Sequence, residues 1–105
     1  MAVLTLTSDN FDTTVKEESG KPVLIDFYAD WCGPCRMLAP LIEEAEEEYA
    51  DQVLFCRVNV DDEESLAARY GVSSIPTLVL LKNGETAARS VGYLDEEALR
   101  DFILQ

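Results

Sequence analysis

Two cysteines separated by two residues, Cys32 and Cys35, are the groups in this chain best suited to covalent chemistry. Residues three apart on a helix have Cβ atoms about 5–6 Å apart, near the separation a disulfide spans, so such a pair can close and open with modest adjustment. The residues before them, Val23-Leu24-Ile25-Asp26-Phe27-Tyr28-Ala29, form an apolar, β-prone run, and those after them follow a helical pattern. Cys32 therefore falls where a strand ends and a helix begins. Its sulfur faces unpaired backbone N–H groups and the positive end of the helix dipole, which favour a thiolate. The thiolate is the attacking species in thiol–disulfide exchange, so Cys32 takes the nucleophile's part and Cys35, one turn inside, the resolving part. Gly33 lets another backbone approach, and Pro34 suits a first helical turn because its missing N–H has no helical partner there.

Simple burial and metal binding also place cysteines close together. Neighbouring thiols can be buried side by side as small apolar groups. A structural zinc site wants four ligands, but the chain has no histidine and only Cys56 besides the pair, so zinc would need carboxylates or a second chain.

The residues around the pair carry paired readings as well. Asp26 lies in the apolar run, where desolvation raises a carboxyl pKa and equips it to take a proton from Cys35; alternatively it is a structural carboxylate matched by a cation such as Arg57. Trp31 either shields the dithiol and contacts substrate or packs at the helix entrance. Ile75-Pro76 reads from its residues as the start of a strand, with a cis bond that leaves backbone groups open to an extended substrate as the alternative. Gly92 is a bulge or a spot cleared for a partner chain. Cys56, between Phe55 and Arg57, reads as a small buried hydrophobe, with regulatory oxidation as the lesser alternative.

The elements that must position these groups follow from pattern and punctuation. Val3–Leu6 is a short strand, and Ser8 or Asp9 caps a helix through Phe11 and Val15 that stops near Gly20. Val23–Ala29 is a central strand. Cys32–Tyr49 is a long helix with Leu38, Leu41, Ile42, Ala45 and Tyr49 on one face and its glutamates on a solvated one, bent at Pro40. Val53–Val60 is a second covered strand, after which Asp61 or Asp62 caps a short helix through Leu66 and Tyr70 ended by Gly71. Thr77–Leu81 and Thr86–Val91 flank Asn83-Gly84, the signal for a two-residue hairpin turn. Asp95 caps a last helix that buries Leu99, Phe102 and Ile103. The order β-α-β-α-β-α-β-β-α joins a crossover-connected parallel part to a hairpin, so the fold is α/β with a mixed sheet covered by helices on both faces.

With 105 residues, 48% hydrophobic and 28% charged, the chain has the composition of one globular domain, residues 1–105. Eight basic against 21 acidic residues give a net charge of -13, which repels nucleic acid and is read as a matter of solubility. No apolar run approaches the roughly 18 residues of a membrane span, and residues 1–12 lack the pattern of a secretory signal. No membrane association and a cytoplasmic location are expected.

Trp31-Cys32-Gly33-Pro34-Cys35, joined to Asp26, Pro40, Ile75-Pro76-Thr77, Gly84 and Gly92, closely resembles the thioredoxin family from end to end. The resemblance implies the thioredoxin fold, a five-stranded mixed sheet flanked by four helices, with a cis bond before Pro76. It implies Asp26 as the buried base and a substrate groove of Trp31, Gly33, Pro34, Ile75, Pro76, Gly92 and Tyr93. It further implies a monomeric protein-disulfide reductase without a cofactor of its own, acting on disulfide-containing target proteins and regenerated by a thioredoxin reductase drawing on NADPH or ferredoxin. An oxidase or isomerase on the same scaffold is the nearest rival, and a binding module with incidental thiols a more distant one. Tyr28, where many family members carry a second tryptophan, Tyr93 and the extra Cys56 depart from the family pattern and bear on substrate choice.

Overall fold

Alternating apolar runs and helical stripes assemble, in a computed structural model describing residues 3–17 and 20–105, into nine elements. These are β1 (Leu4–Thr5), α1 (Phe11–Glu17), β2 (Val23–Tyr28), α2 (Gly33–Tyr49), β3 (Leu54–Asn59), α3 (Glu64–Arg69), β4 (Thr77–Lys82), β5 (Glu85–Val91) and α4 (Glu96–Ile103). The sheet order is β1-β3-β2-β4-β5. β3 pairs in parallel with β1 and β2, whereas β4 runs antiparallel to β2 and β5, which makes the sheet mixed as expected.

β2 sits at the centre and is covered on both faces, as its unbroken apolar run requires. Leu24 and its neighbours Phe55, Leu78 and Leu80 pack under Leu38 and Ile42 of α2 and Leu99, Phe102 and Ile103 of α4. On the other face Ile25, Phe27, Val58 and Val79 pack under Phe11 of α1 and Leu66 of α3. Phe27 and Phe55 have 0% and 1% of their surface exposed, and burying a side chain of that size contributes about 1.5–3 kcal/mol.

The strand directions collect the candidate site at one end of this sheet. The last paired residues of β2, Phe27 and Tyr28, stand opposite Thr77 at the start of β4 and Asn59 at the end of β3, and Thr77 in turn pairs with Val91 at the end of β5. The loops that follow β2, β3 and β5, and the one that precedes β4, therefore emerge together.

Several sequence expectations are corrected. Neither Ser8 nor Asp9 caps α1: Thr7 and Asn10 bond each other's backbone N–H, while Ser8 donates through N and Oγ to Glu63 Oε1. Residues 18 and 19, between α1 and the stop anticipated at Gly20, lie outside the described residues. The N-cap of α3 is Glu63 rather than Asp61 or Asp62, because Asn59 Oδ1 accepts the backbone N–H groups of both aspartates and turns the chain itself. The acidic stretch of α2 is not wholly solvated: Glu46 is 4% exposed, continuing the buried stripe of Leu38 and Ile42 at four-residue steps. Pro40 lies inside α2. The Asn83-Gly84 turn is as read, with φ of 54° and 81°, values that suit asparagine and glycine in a tight hairpin.

Candidate active site

Cys32 is the N-cap of α2, one residue ahead of the helix rather than within it, with extended backbone at φ -87°, ψ 113°. Its Sγ accepts a hydrogen bond of 3.2 Å from the backbone N–H of Cys35, taking the place that a serine or aspartate oxygen occupies in an ordinary helix cap. A sulfur in that position meets the positive helix end with a donor already aimed at it, and negative charge on it is stabilised. Pro34 fills the first turn, where its missing N–H costs nothing. Cys32 and Cys35 are joined by a disulfide, with Cα atoms 5.2 Å apart. Both are nearly buried, at 4% and 3% exposure, and only Cys32 Sγ receives the Cys35 N–H.

Behind Cys35 lies a crevice of about 340 Å³ lined by Asp26, Tyr28, Asp30, Cys35, Arg36 and Arg57. Asp26 and Arg57 are direct neighbours in the β2–β3 register, yet Asp26 Oδ1 and Arg57 Nε are buried without a hydrogen-bond partner. No ion pair joins them among the described residues, which counts against the reading of Asp26 as a matched structural carboxylate. Burial raises the Asp26 pKa to about 7, with the Arg57 charge pulling the other way. The carboxyl is thus poised near neutrality in the same crevice as Cys35.

On the outer side the dithiol is bordered by loops from three strands. Trp31 is 68% exposed and does not pack into the core, and its Nε1 donates to Asp61 Oδ2 at 2.8 Å. The Ile75-Pro76 bond is cis, as the resemblance implied and the plain strand-start reading did not. Ile75 O lies 3.8 Å from Cys32 Sγ, and the Ile75 N–H and C=O make no backbone hydrogen bond among the described residues. Gly92, at φ +101°, is not a bulge; it follows β5 and donates its N–H to Pro76 O at 2.8 Å, while the sheet's irregularity lies at Leu80/Leu81. The space where a side chain would stand on Gly33 or Gly92 is open. Tyr93, next to Gly92 in sequence, is 42% exposed. Cys56 is fully buried in the core face under α1 and α3, away from the crevice. Among the described residues no three His, Cys, Asp or Glu side chains converge as metal ligands would, and no helix is long and apolar enough to cross a membrane.

Two residues here were not anticipated. Asp61, read as a helix cap, instead holds the Trp31 indole, and Arg36 Nη1 donates to Asp30 O at 2.8 Å, tying the loop before Cys32 to α2. Asp61→Ala is expected to release the indole and slow reaction with a protein disulfide about threefold to tenfold, while Asp61→Asn, which keeps an acceptor, stays close to the parent. Rate constants for oxidation by insulin, with Trp31 fluorescence anisotropy as the report on mobility, check this.

A bondable cysteine pair at the head of a helix, behind a central strand of a mixed sheet, defines a thiol–disulfide oxidoreductase. The family model described as Thioredoxin matches residues 2–105. Thioredoxin of Haemophilus influenzae is 45% identical over 103 residues, covering 98% of this chain and 95% of the relative. That of Bacillus subtilis is 43% identical over 103 residues, covering 98% and 96%. The X-ray structure of Fasciola hepatica thioredoxin superposes with a TM-score of 0.91 at 37% identity, covering 97% of each chain. The chain belongs to the thioredoxin family. It is a protein-disulfide reductase that works by dithiol–disulfide exchange.

Proposed function

We propose that Cys32, Cys35 and Asp26 divide the exchange as follows, within one domain spanning residues 1–105. The Cys32 thiolate attacks one sulfur of a target disulfide; a Cys32–target bond forms, the target S–S bond breaks, and the departing sulfur takes up a proton. Cys35 then gives its proton to the Asp26 carboxylate and attacks Cys32 Sγ, closing the Cys32–Cys35 bond. The second target sulfur leaves and is protonated in turn. Two electrons and two protons have passed to the target, and a thioredoxin reductase supplying the same restores the dithiol. The observation that carries this division is the 3.2 Å hydrogen bond from Cys35 N–H to Cys32 Sγ, which stabilises charge on one sulfur only.

Target chains are proposed to lie along Trp31, Gly33, Pro34, Ile75, Pro76, Gly92 and Tyr93. The open backbone groups of Ile75 and the exposed Trp31 and Tyr93 rings support that surface. The setting proposed is a cytoplasmic monomer in electron transport and cell redox homeostasis, with disulfide-containing proteins and a thioredoxin reductase as partners. Arg57 is assigned the role of tempering the Asp26 pKa, which its charge lowers, and Pro40 that of a supporting residue within α2.

Equilibration with glutathione buffers tests the direction. A reducing pair remains largely disulfide in buffers that already reduce an oxidase or isomerase pair, because its own disulfide is the more stable. Half-reduction in a buffer as oxidising as that which half-reduces an oxidase would overturn the reductive assignment.

A further inference from the structure

Arg89, an exposed residue of β5 opposite Val79, reaches across the sheet to the end of α3. Its guanidinium donates from Nη1 to Tyr70 O and from Nη2 to Gly71 O, the latter at 2.8 Å. These carbonyls are available because of how α3 stops. Gly71 adopts φ +63°, its N–H bonds Ala68 O at 3.0 Å, and the N–H of Val72 bonds Ala67 O at 2.9 Å. That arrangement satisfies earlier carbonyls, while those of Tyr70 and Gly71 accept no backbone hydrogen bond among the described residues. A planar guanidinium matches two adjacent acceptors, and its charge suits the negative end of a helix.

The segment after this clamp leads to the dithiol. It runs from Val72 to Pro76, where Ile75 O stands 3.8 Å from Cys32 Sγ and Pro76 O accepts the Gly92 N–H. β5 and the residue after it thus hold the segment at both ends, through the Arg89 side chain at the start and the Gly92 backbone at the finish. Among the described residues no other charged side chain hydrogen-bonds residues 70–76.

We propose that Arg89 is a positioning residue for target recognition: by clamping Tyr70 and Gly71 it sets where the Ile75 backbone lies beside Cys32, and so how a target chain is seated. The inference rests on the exchange reading above and names a determinant for extended substrates that small disulfides do not need.

The test compares the parent, Arg89→Ala and Arg89→Lys, each pre-reduced, in second-order rate constants for oxidation by insulin and by hydroxyethyl disulfide. Arg89→Ala is expected to lose about fivefold toward insulin and less than twofold toward hydroxyethyl disulfide, the worth of two exposed charge-assisted hydrogen bonds. Arg89→Lys, which donates to one carbonyl at a time, recovers a substantial part of the loss. Amide hydrogen exchange at Gly71 and Val72, whose N–H groups bond Ala68 O and Ala67 O, rises in Arg89→Ala and falls back in Arg89→Lys. Equal loss toward both disulfides, no loss toward either, or a loss that lysine leaves untouched would each overturn the proposal. A parent that reacts with neither disulfide would instead sink the exchange reading itself.

Discussion

Changed to serine at Cys35, the reduced protein is expected to accumulate a covalent one-to-one adduct with a disulfide-bonded target, stable until dithiothreitol is added. In the parent the adduct is short-lived because Cys35 attacks from within the same helix turn, its Cα 5.2 Å from that of Cys32. Well-placed intramolecular partners act at effective concentrations of about 10⁵ M or more, so removing the resolving sulfur slows release at least about a thousandfold. Cys32→Ser forms no adduct and loses turnover to a similar extent. The asymmetry is the informative part: both sulfurs are almost equally buried, but only Cys32 caps the helix and receives the Cys35 N–H. Mass spectrometry of non-reduced samples decides it. Adducts appearing on Cys35 in Cys32→Ser would reverse the assigned roles, and Cys56, fully buried, serves as the internal control.

The division between what could be read in the sequence and what could not follows the range of the forces involved. The Asn83-Gly84 turn, the apolar run of β2, the Asp95 cap and the placement of Cys32 at a strand-to-helix junction are local: backbone sterics, periodicity and capping set each within a few residues. Asp95 Oδ1 does accept the Ala98 N–H, whereas the equally plausible Ser8, Asp9, Asp61 and Asp62 do not cap: Ser8 bonds distant Glu63, Thr7 and Asn10 bond each other across Asp9, and Asn59 takes the N–H groups of Asp61 and Asp62. A carboxylate that can cap a helix can equally hold an indole thirty residues away, and nothing local announces which. Glu46 shows the same limit: it sits among acidic neighbours, but the period of the helix turns it inward. The isomer before Pro76 lay beyond residue-level reading, since the two forms differ by only about 0.5–1 kcal/mol in an unconstrained chain. Arg89 gave no signal at all, because its partners are backbone carbonyls brought near it only by the completed sheet.

Asp26→Asn is expected to move stability and rate in opposite directions. In the folded protein the carboxyl titrates at about 7, against 3.8 for an ordinary aspartate, because burial opposes its charge more than Arg57 favours it. Between those pH values the folded state holds a proton that the unfolded chain releases, so stability falls as pH rises through that window and levels off above it. A pKa raised from 3.8 to about 7 corresponds to about 4 kcal/mol at alkaline pH, at 1.36 kcal/mol per pK unit. Asparagine resembles the protonated form, so Asp26→Asn should match the parent near pH 4 and exceed it by several kcal/mol at pH 8 and above, as urea unfolding of the disulfide form measures. An increment that does not change with pH would refute the buried-charge account. The same substitution removes the group proposed to take the Cys35 proton, and decay of the mixed disulfide at pH 7 is expected to slow about a hundredfold, recovering as alkali ionises Cys35 directly. The destabilising placement of Asp26 and its usefulness have one cause: a carboxylate uncomfortable enough in the crevice to accept a proton at neutral pH is, for that reason, uncomfortable in the fold.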